Sequence, residues 1–256
     1  MDSASLVQVL REERDLLLVY KPPGIETCSE FGEADLTGAV RRLRPDPEPC
    51  PAHRLDRNTS GVQLYARGPA MLARLTQLFR ERRVEKSYLG LCLGVPWNRE
   101  GRLNRRLSEW EGGRRPVRVV KGTGREKGLT AETLYTLLLA TPPGGEFTAS
   151  LLRFHPRQGR THQVRVHAAA FGHPLLGDDQ YGDRPANRWA AAELGLRRQA
   201  LHAEALAFPW EGGRVEVVSF LPPDLQTAVA RLFPGASYPP PSLFPGPGGG
   251  AEGREG

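Results

Sequence analysis

Residues 53–61 read HRLDRNTSG: one histidine, two arginines, one carboxylate, one amide and two hydroxyls, ending on a glycine. Apolar residues recur in this stretch neither at every second position nor at helical spacing, so it predicts a polar loop rather than a strand or an amphipathic helix. Asp56 stands between Arg54 and Arg57. A loop aspartate most often caps a turn or pairs with a neighbouring arginine, so the stretch alone makes only a modest case for a functional site.

Apolar segments on both sides of this loop predict the secondary structure around it. The predicted strands cover residues 15–24, 62–66, 86–94, 131–139, 147–154, 201–208 and 214–220. The predicted helices cover residues 68–83, residues 161–172 with Thr161 as N-cap, and residues 222–233 with proline at the start. Several strands are joined by turns too short for a parallel crossover, so the pattern favours an α+β fold with a mixed, mainly antiparallel sheet.

The domain organisation follows from where apolar residues stop. No linker-like stretch divides residues 10–233, so residues 1–233 are predicted to form one domain. Residues 96–128 are dense in Gly and Arg and poor in apolar residues, which predicts a long hairpin or a basic loop. Residues 234–256 are rich in Pro, Gly and Ser, which predicts a disordered tail.

Composition sets limits on the function class. Arg and Lys outnumber Asp and Glu by 35 to 29, for a formal charge of +6. This excess is compatible with a nucleic-acid partner, but a GC-rich coding bias produces the same excess of arginine. The three cysteines are widely spaced and form no CxxC pair, which is typical of a reducing cytoplasm. No secretory signal or membrane-spanning run is visible, so a cytoplasmic, monomeric protein is expected.

Two common kinds of catalytic site find little support. The six histidines form neither HxxxH nor HExxH, so no metal site is predicted. Ser60 lies in NTSGV, whereas a nucleophile elbow requires GxSxG between a strand and a helix. Turn-forming hydroxyls explain Thr59 and Ser60 at least as well.

Further polar motifs follow HRLDRNTSG along the chain, each attached to an apolar segment. In order, the chain carries VYKPPG, HRLDRNTSG, EKSYLGLCLG, LTAETLY, GRTHQVRVHAAAFGHPLLGDDQYG and LHAEALAF. In this order and spacing, over roughly residues 10–220, they resemble the RluA-like family of pseudouridine synthases. A single HRLD would be weak support, but several collinear motifs are hard to attribute to coincidence.

The resemblance implies a fold and an activity. The implied fold is the pseudouridine synthase fold, a central mixed sheet flanked by helices and loops, with a cleft across the sheet. The implied reaction isomerises uridine in structured RNA to pseudouridine without a metal or an organic cofactor. GHPLLGDDQYGDRPANR looks closest to enzymes that act on large-subunit ribosomal RNA, and transfer RNA is the alternative. No N-terminal RNA-binding module of the S4 type is recognisable, so RNA specificity is expected from the core and its loops.

The resemblance also assigns three catalytic residues by motif. Asp56 in HRLDR corresponds to the catalytic carboxylate, which acts as a nucleophile or as a base on the sugar. Arg165 in HQVRVH is the cation expected to keep that carboxylate ionised. Tyr88 in KSY corresponds to the tyrosine that stacks on the flipped uracil, and its hydroxyl is expected to assist proton removal from C5.

Substrate-binding residues are assigned in the same way. Arg54 resembles the arginine that fills the gap when the uridine leaves the stack, Leu201 the apolar residue against the base, and Lys86 a structural or phosphate-contacting lysine. The basic stretch is expected to contact the RNA backbone. The residues predicted for this contact are Arg102, Arg105, Arg106, Arg114 and Arg115.

Two other functions stay open. One is a catalytically silent RNA-binding protein that keeps the fold, which would not require Asp56, Tyr88 and Arg165 together. The other is a carboxylate-based hydrolase, which normally needs a second catalytic carboxylate. Asp178 and Asp179 in GDDQYG are the candidates for that second group.

Overall fold

The computed structural model describes residues 7–29, 35–109, 116–120, 128–236 and 244. Within these residues the strands are β1 (Gln8–Glu12), β2 (Leu16–Lys21), β3 (Pro49–Pro51), β4 (Ser60–Arg67), β5 (Glu85–Leu93), β6 (Glu100–Leu107), β7 (Leu129–Ala140), β8 (Ala149–Pro156), β9 (Leu201–Trp210) and β10 (Gly213–Val218). The helices are α1 (Leu36–Leu43), α2 (Pro69–Arg80), α3 (Gln163–Ala170), α4 (Arg184–Glu193) and α5 (Pro223–Leu232).

The strands form one sheet in the order β1-β2-β4-β9-β5-β8-β7-β6, with β3 beside β4 and β10 beside β9. Neighbouring strands pair antiparallel except β4 and β9, which run parallel over two residue pairs, Ser60 with His202 and Gly61 with Ala203. The α+β class and the mixed, mainly antiparallel sheet are therefore confirmed.

Gly61, the last residue of the HRLDRNTSG stretch, makes this parallel seam sterically feasible. Its φ is +124°, a conformation that side chains other than glycine rarely adopt. A Cβ atom at this position would also lie 2.1 Å from the carbonyl oxygen of Ala203. The glycine therefore lets β4 approach β9 immediately after the polar loop, and it sets where that loop lies on the sheet.

Helices cover both faces of the sheet. On one face α2 packs on β2, β4 and β9, and α3 packs on β5, β7 and β8. On the other face α1 covers β2 and β4, and α4 and α5 cover β5 and β8. The spacing of Met71, Leu75 and Leu78, all buried on α2, agrees with the predicted amphipathic helix. Between α2 and α3 the first face is left open as a cleft.

The basic stretch at residues 96–128 contains more regular structure than its composition indicates. Residues 100–107 form β6, which pairs with β7 along its whole length and is the edge strand of the sheet. Its inward-facing apolar residues are Leu103 and Leu107. The predicted Arg114 and Arg115 lie outside the described residues.

The predicted N-cap of α3 is wrong by one residue. The helix begins at Gln163, and His162 rather than Thr161 occupies the N-cap position in a left-handed backbone conformation. Near the C-terminus, most of the tail predicted for residues 234–256 lies outside the described residues. Phe244 is described, and it packs on Ala205 and Ala207 of β9.

Candidate active site

The cleft between α2 and α3 has a volume of about 940 Å³ and adjoins a smaller cavity of about 80 Å³. The 53–61 loop, the C-terminal end of α2, the start of β5 and the segment before α3 form its walls. The structure brings six of the predicted residues together here, although they come from separate parts of the chain. They are Arg54, Asp56, Lys86, Tyr88, Arg165 and Leu201.

The loop that carries Asp56 is held by buried basic side chains from outside it. Lys21 is fully buried at the end of β2, and its Nζ donates to the carbonyl oxygen of Arg57 at 2.9 Å. Arg198 Nη1 donates to the carbonyl oxygen of Asn58 at 2.8 Å. Because these contacts fix the backbone on the C-terminal side of Asp56, the carboxylate has a defined position at the cleft wall.

Burial of lysine at this site predicts an unusual pH dependence of stability. Burial lowers the pKa of Lys21 to about 7 and that of Lys86 to about 8, whereas an unfolded lysine titrates near 10.4. Between these values the unfolded chain binds more protons than the folded chain. The free energy of unfolding is therefore expected to rise between about pH 7 and pH 10, by up to about 1.4 kcal/mol per pH unit for each lysine.

Urea unfolding across that pH range measures this effect. The variant Lys21→Met removes one of the two titrating lysines, so it is expected to show a shallower rise than the wild type. A wild-type stability that stays flat or falls across the range would contradict the assignment.

Arg165 joins a buried carboxylate to the carboxylate in the cleft. Its Nε and Nη2 donate to the two oxygens of Asp178 at 2.8 and 2.9 Å, and its Nη1 lies 3.2 Å from Asp56 Oδ2. Arg57, the neighbour of Asp56, donates instead to the carbonyl oxygen of Gly24. The cation in contact with Asp56 is thus 109 residues away in sequence.

The charges of this group support one another. Burial alone would lower the pKa of Arg165, but Asp178 and Asp56 raise it. Burial would likewise raise the pKa of Asp178, and the hydrogen bond from Arg165 lowers it. Asp178 is fully buried and its oxygens are engaged, so it has no access to a substrate. The hydrolase hypothesis then depends on Asp179, whose side chain is 86% exposed at the cleft edge.

Tyr88 and Leu201 present flat and apolar surfaces to the cleft. Tyr88 lies on β5 beside Phe154 and Ala203. Burial, together with the charge of Asp56, raises the pKa of Tyr88, so its hydroxyl stays protonated at neutral pH and can donate a hydrogen bond. Leu201, only 3% exposed, lines the smaller cavity. Lys86 Nζ donates to the carbonyl oxygen of Gln158 at 2.8 Å.

Several cleft residues were missed from sequence. Exposed arginines surround the cleft, and three of them, Arg80, Arg82 and Arg157, lie just before the quoted motifs, in LFRERRVEKSY and HPRQGRTHQ. The exposed arginines of the cleft are Arg54, Arg57, Arg80, Arg82, Arg157 and Arg160. Arg54 was assigned from the family resemblance, and the other five were not. They come from the 53–61 loop, the end of α2 and the segment before α3, which only the fold brings together.

The arginines predicted on the basic stretch lie elsewhere. Arg102 donates to Glu132 at 2.6 Å, and Arg106 donates to the carbonyl oxygen of Gly128. Because alternate residues of a strand face opposite sides, Arg105 and Arg106 point to different faces of β6. None of these three residues lines the cleft between α2 and α3.

Ser60 does meet a histidine, but in the wrong environment for a nucleophile. Its Oγ lies 3.0 Å from His202 Nδ1, and both residues are fully buried. A substrate has no path to this hydroxyl, so the pair stabilises the seam between β4 and β9. Among the described residues, no cluster of His, Cys, Asp and Glu is arranged to hold a metal ion. Nor does that part of the chain contain a helix long and apolar enough to cross a membrane.

Comparison with known proteins gives a consistent picture. The RNA pseudouridylate synthase family matches residues 15–170. Ribosomal large subunit pseudouridine synthase C of Pasteurella multocida is 34% identical over 232 residues, which cover 88% of this chain and 68% of that protein. An uncharacterized RNA pseudouridine synthase of Mycobacterium bovis is 40% identical over 182 residues, 70% of this chain and 55% of that protein.

A solved structure agrees with these matches. The human protein RNA Pseudouridylate Synthase Domain Containing 1 superimposes with a TM-score of 0.72 at 28% identity, covering 88% of both chains. The present chain spans only 68% and 55% of the length of the two bacterial relatives.

Proposed function

We propose, from the premise that the chain belongs to the RNA pseudouridylate synthase family, that it isomerises uridine to pseudouridine in large-subunit ribosomal RNA. The observation that carries the proposal is the cleft carboxylate Asp56 in contact with the buried cation Arg165, with Tyr88 and Leu201 beside it. A protein that only binds RNA has no need for a charged carboxylate pointing into its anionic ligand.

The reaction breaks the C1′–N1 bond, turns the base and forms a C1′–C5 bond, with no net oxidation or reduction. Asp56 acts on the sugar, either by attacking C1′ or by removing the proton at C2′. Both roles need an ionised carboxylate, and the Arg165 guanidinium, 3.2 Å from Asp56 Oδ2, is its counter-ion in the cleft. Tyr88, protonated at neutral pH, supports the extracted base by stacking and by donating a hydrogen bond.

Binding of RNA follows from the exposed arginines around the cleft. Guanidinium groups suit phosphate oxygens, and a ring of them lets the chain hold the backbone on both sides of an extruded nucleotide. Arg54, two residues before Asp56 in the same loop, is the candidate to occupy the gap in the stack. The arginines of β6 lie outside the cleft, and their contact with the RNA backbone stays a prediction.

The choice of ribosomal RNA is supported by the similarity to ribosomal large subunit pseudouridine synthase C of Pasteurella multocida. Transfer RNA is the alternative substrate. The proposal includes a monomeric enzyme in the cytoplasm, as expected from the sequence.

Release of tritium from C5-tritiated uridine RNA tests the activity directly, because C5 loses its hydrogen when it bonds to C1′. The wild-type protein is expected to release tritium from an unmodified large-subunit ribosomal transcript and not from transfer RNA. Release from transfer RNA alone would favour the alternative substrate. Binding without release from either RNA would favour the catalytically silent protein.

Arg82 gives a prediction in which stability and RNA binding change in opposite directions. Arg82 follows the end of α2 with a φ of +57°, and the N–H groups of Arg82 and Arg83 donate back to Phe79 and Leu78, a helix end at which glycine is preferred. Arg82→Gly is therefore expected to raise the free energy of unfolding by about 1 kcal/mol. It removes one cationic side chain from the cleft, so RNA affinity falls and the salt slope decreases by about 0.7.

Urea unfolding and RNA titrations at several salt concentrations measure the two effects. The matched control is Arg80→Ala, which removes a cleft charge from α2 without relieving a left-handed backbone. It is expected to weaken RNA binding with no gain in stability. Unchanged RNA affinity in Arg82→Gly would exclude Arg82 from the RNA-binding surface.

A further inference from the structure

His162 is a non-glycine residue with a left-handed backbone conformation, which is unfavourable for residues that have a Cβ atom. It is the N-cap residue of α3, with a φ of +56° and no capping hydrogen bond from its side chain. Glycine or asparagine adopts this conformation more readily. Non-glycine residues with backbone strain of this kind concentrate at functional sites. His162 lines the cleft, so its ring is a candidate for contact with the substrate.

The contacts of the imidazole favour one of its two neutral tautomers. Nδ1 lies 2.8 Å from the hydroxyl of Tyr181, and Nε2 lies 3.9 Å from Asp56 Oδ2. Burial raises the pKa of Tyr181 to about 12, so this hydroxyl keeps its proton and can donate a hydrogen bond to Nδ1. The Tyr181 ring is held in turn by the guanidinium of Arg165, 5.0 Å from its centroid. The neutral imidazole then carries its own proton on Nε2, facing Asp56.

The electrostatic surroundings agree with a neutral ring. Burial lowers the pKa of His162 and Arg165 lowers it further, against the opposing effect of the carboxylates. The carboxylates facing the ring are Asp56, Asp178 and Asp179. An N–H directed at Asp56 is electrostatically better than a lone pair directed at the same carboxylate, which favours the same tautomer.

The distance between His162 Nε2 and Asp56 Oδ2 leaves room for one oxygen atom that is hydrogen-bonded to both. A separation of 3.9 Å is too long for a direct hydrogen bond. An oxygen about 2.9 Å from Nε2 and about 2.7 Å from Oδ2 spans it with an angle of about 90° at the oxygen. That oxygen must accept from Nε2–H and donate to the carboxylate. A hydroxyl does both.

The ribose places a hydroxyl at this point. Whether Asp56 attacks C1′ or removes the proton at C2′, its carboxylate lies beside the C1′–C2′ bond. The 2′-hydroxyl is attached to C2′, and it can donate and accept at the same time. We infer that His162 and Asp56 together bind the 2′-hydroxyl of the target nucleotide, with His162 Nε2–H donating to O2′ and O2′–H donating to Asp56. His162 is then a specificity residue that selects ribose over deoxyribose.

This inference rests on the proposed function for the identity of the nucleotide in the cleft. Its test is a binding measurement that needs no turnover. A short labelled oligouridylate and an oligodeoxyuridylate of equal length are titrated with the full chain by fluorescence anisotropy. The wild type is expected to prefer oligouridylate. His162→Asn, which suits the left-handed backbone but is too short to reach O2′, is expected to reduce that preference about three- to ten-fold.

Two further variants separate this role from a structural one. Tyr181→Phe removes the hydroxyl that orients the imidazole and keeps the ring under Arg165, so it is expected to reduce the preference in part. His173→Asn changes a histidine that does not line the cleft, and it is expected to leave both affinities unchanged. The free energy of unfolding, measured for each variant, shows whether the fold is intact.

The result that overturns the inference is a preference for oligouridylate that is the same in His162→Asn as in the wild type. Equal weakening of both ligands, or a wild type without any preference, overturns it as well. Failure of the proposed function appears elsewhere, as an absence of tritium release by the wild type. In that case the ratio of the affinities for oligouridylate and oligodeoxyuridylate still tests the role of His162, because the titrations need no turnover.

Discussion

Replacing Asp56 by alanine is expected to reduce tritium release from C5-tritiated uridine RNA by at least about 10³-fold, because the substitution removes the group that acts on the sugar. The fold is expected to survive the change. Asp56 is partly exposed at the cleft wall, and Arg165 keeps both hydrogen bonds to Asp178 when Asp56 is absent. The affinity for RNA is expected to hold or to rise, since a negative charge leaves a cleft that binds an anion.

Single-turnover tritium release and RNA titrations on the same preparations measure the two effects. Asp56→Asn is the isosteric variant, and it should be as inactive as the alanine variant because an amide is neither a nucleophile nor a base here. Asp179→Ala removes a nearby exposed carboxylate and should retain most of the activity. Tritium release that persists in Asp56→Ala would refute the assignment of Asp56, although the isomerisation itself would stand.

Replacing Asp178 by alanine is expected to lower the free energy of unfolding by about 3–5 kcal/mol, the usual effect of leaving a buried charge without its partner. Asp178 is fully buried and accepts two hydrogen bonds from Arg165. It also accepts from the backbone N–H groups of Gln180 and Tyr181, so its loss releases the loop that supports the cleft wall. Urea unfolding at neutral pH measures the loss.

The adjacent Asp179 is the matched control, since its side chain is 86% exposed. Asp179→Ala is expected to change the free energy of unfolding by less than about 0.5 kcal/mol. The pKa of Asp178 is lowered in the folded protein, so its stabilising effect is complete above the unfolded value of about 3.9 and is lost as the pH falls through the lower folded value. A loss of less than about 1 kcal/mol in Asp178→Ala would mean that Arg165 finds another partner.

The elements that could be predicted from the sequence are those in which buried apolar residues recur at a regular spacing. The alternating strands of the sheet and the apolar face of α2 follow directly from periodicity, because one side of each packs in the core. Residues 96–128 were predicted only as a long hairpin or a basic loop, without bounds for the edge strand β6, since this strand has solvent on one side and only two apolar residues facing inward. Its pairing with β7 is a tertiary property that its own residues do not encode.

The candidate site was predictable only where a motif identified it. Asp56, Tyr88 and Arg165 came from the family resemblance, and no spacing rule joins residues this far apart. His162 was missed because capping rules favour the hydroxyl of Thr161, whereas the left-handed backbone at His162 accompanies contacts made across the cleft. The exposed arginines of the cleft other than Arg54 were missed for a similar reason, because only the fold brings together the segments that carry them.

The parallel seam between β4 and β9 makes the cleft a late product of folding. Asp56 belongs to the antiparallel group formed by β1 to β4, whereas Tyr88 and Arg165 belong to the group that includes β5 to β9, and the backbone ladder between the two groups is two residue pairs long. The contact between Asp56 and Arg165 closes a loop of 109 residues, and contacts of such long range form slowly. During refolding, helix and strand content should therefore recover before the ability to release tritium, and the interval between them reports the docking of the two halves.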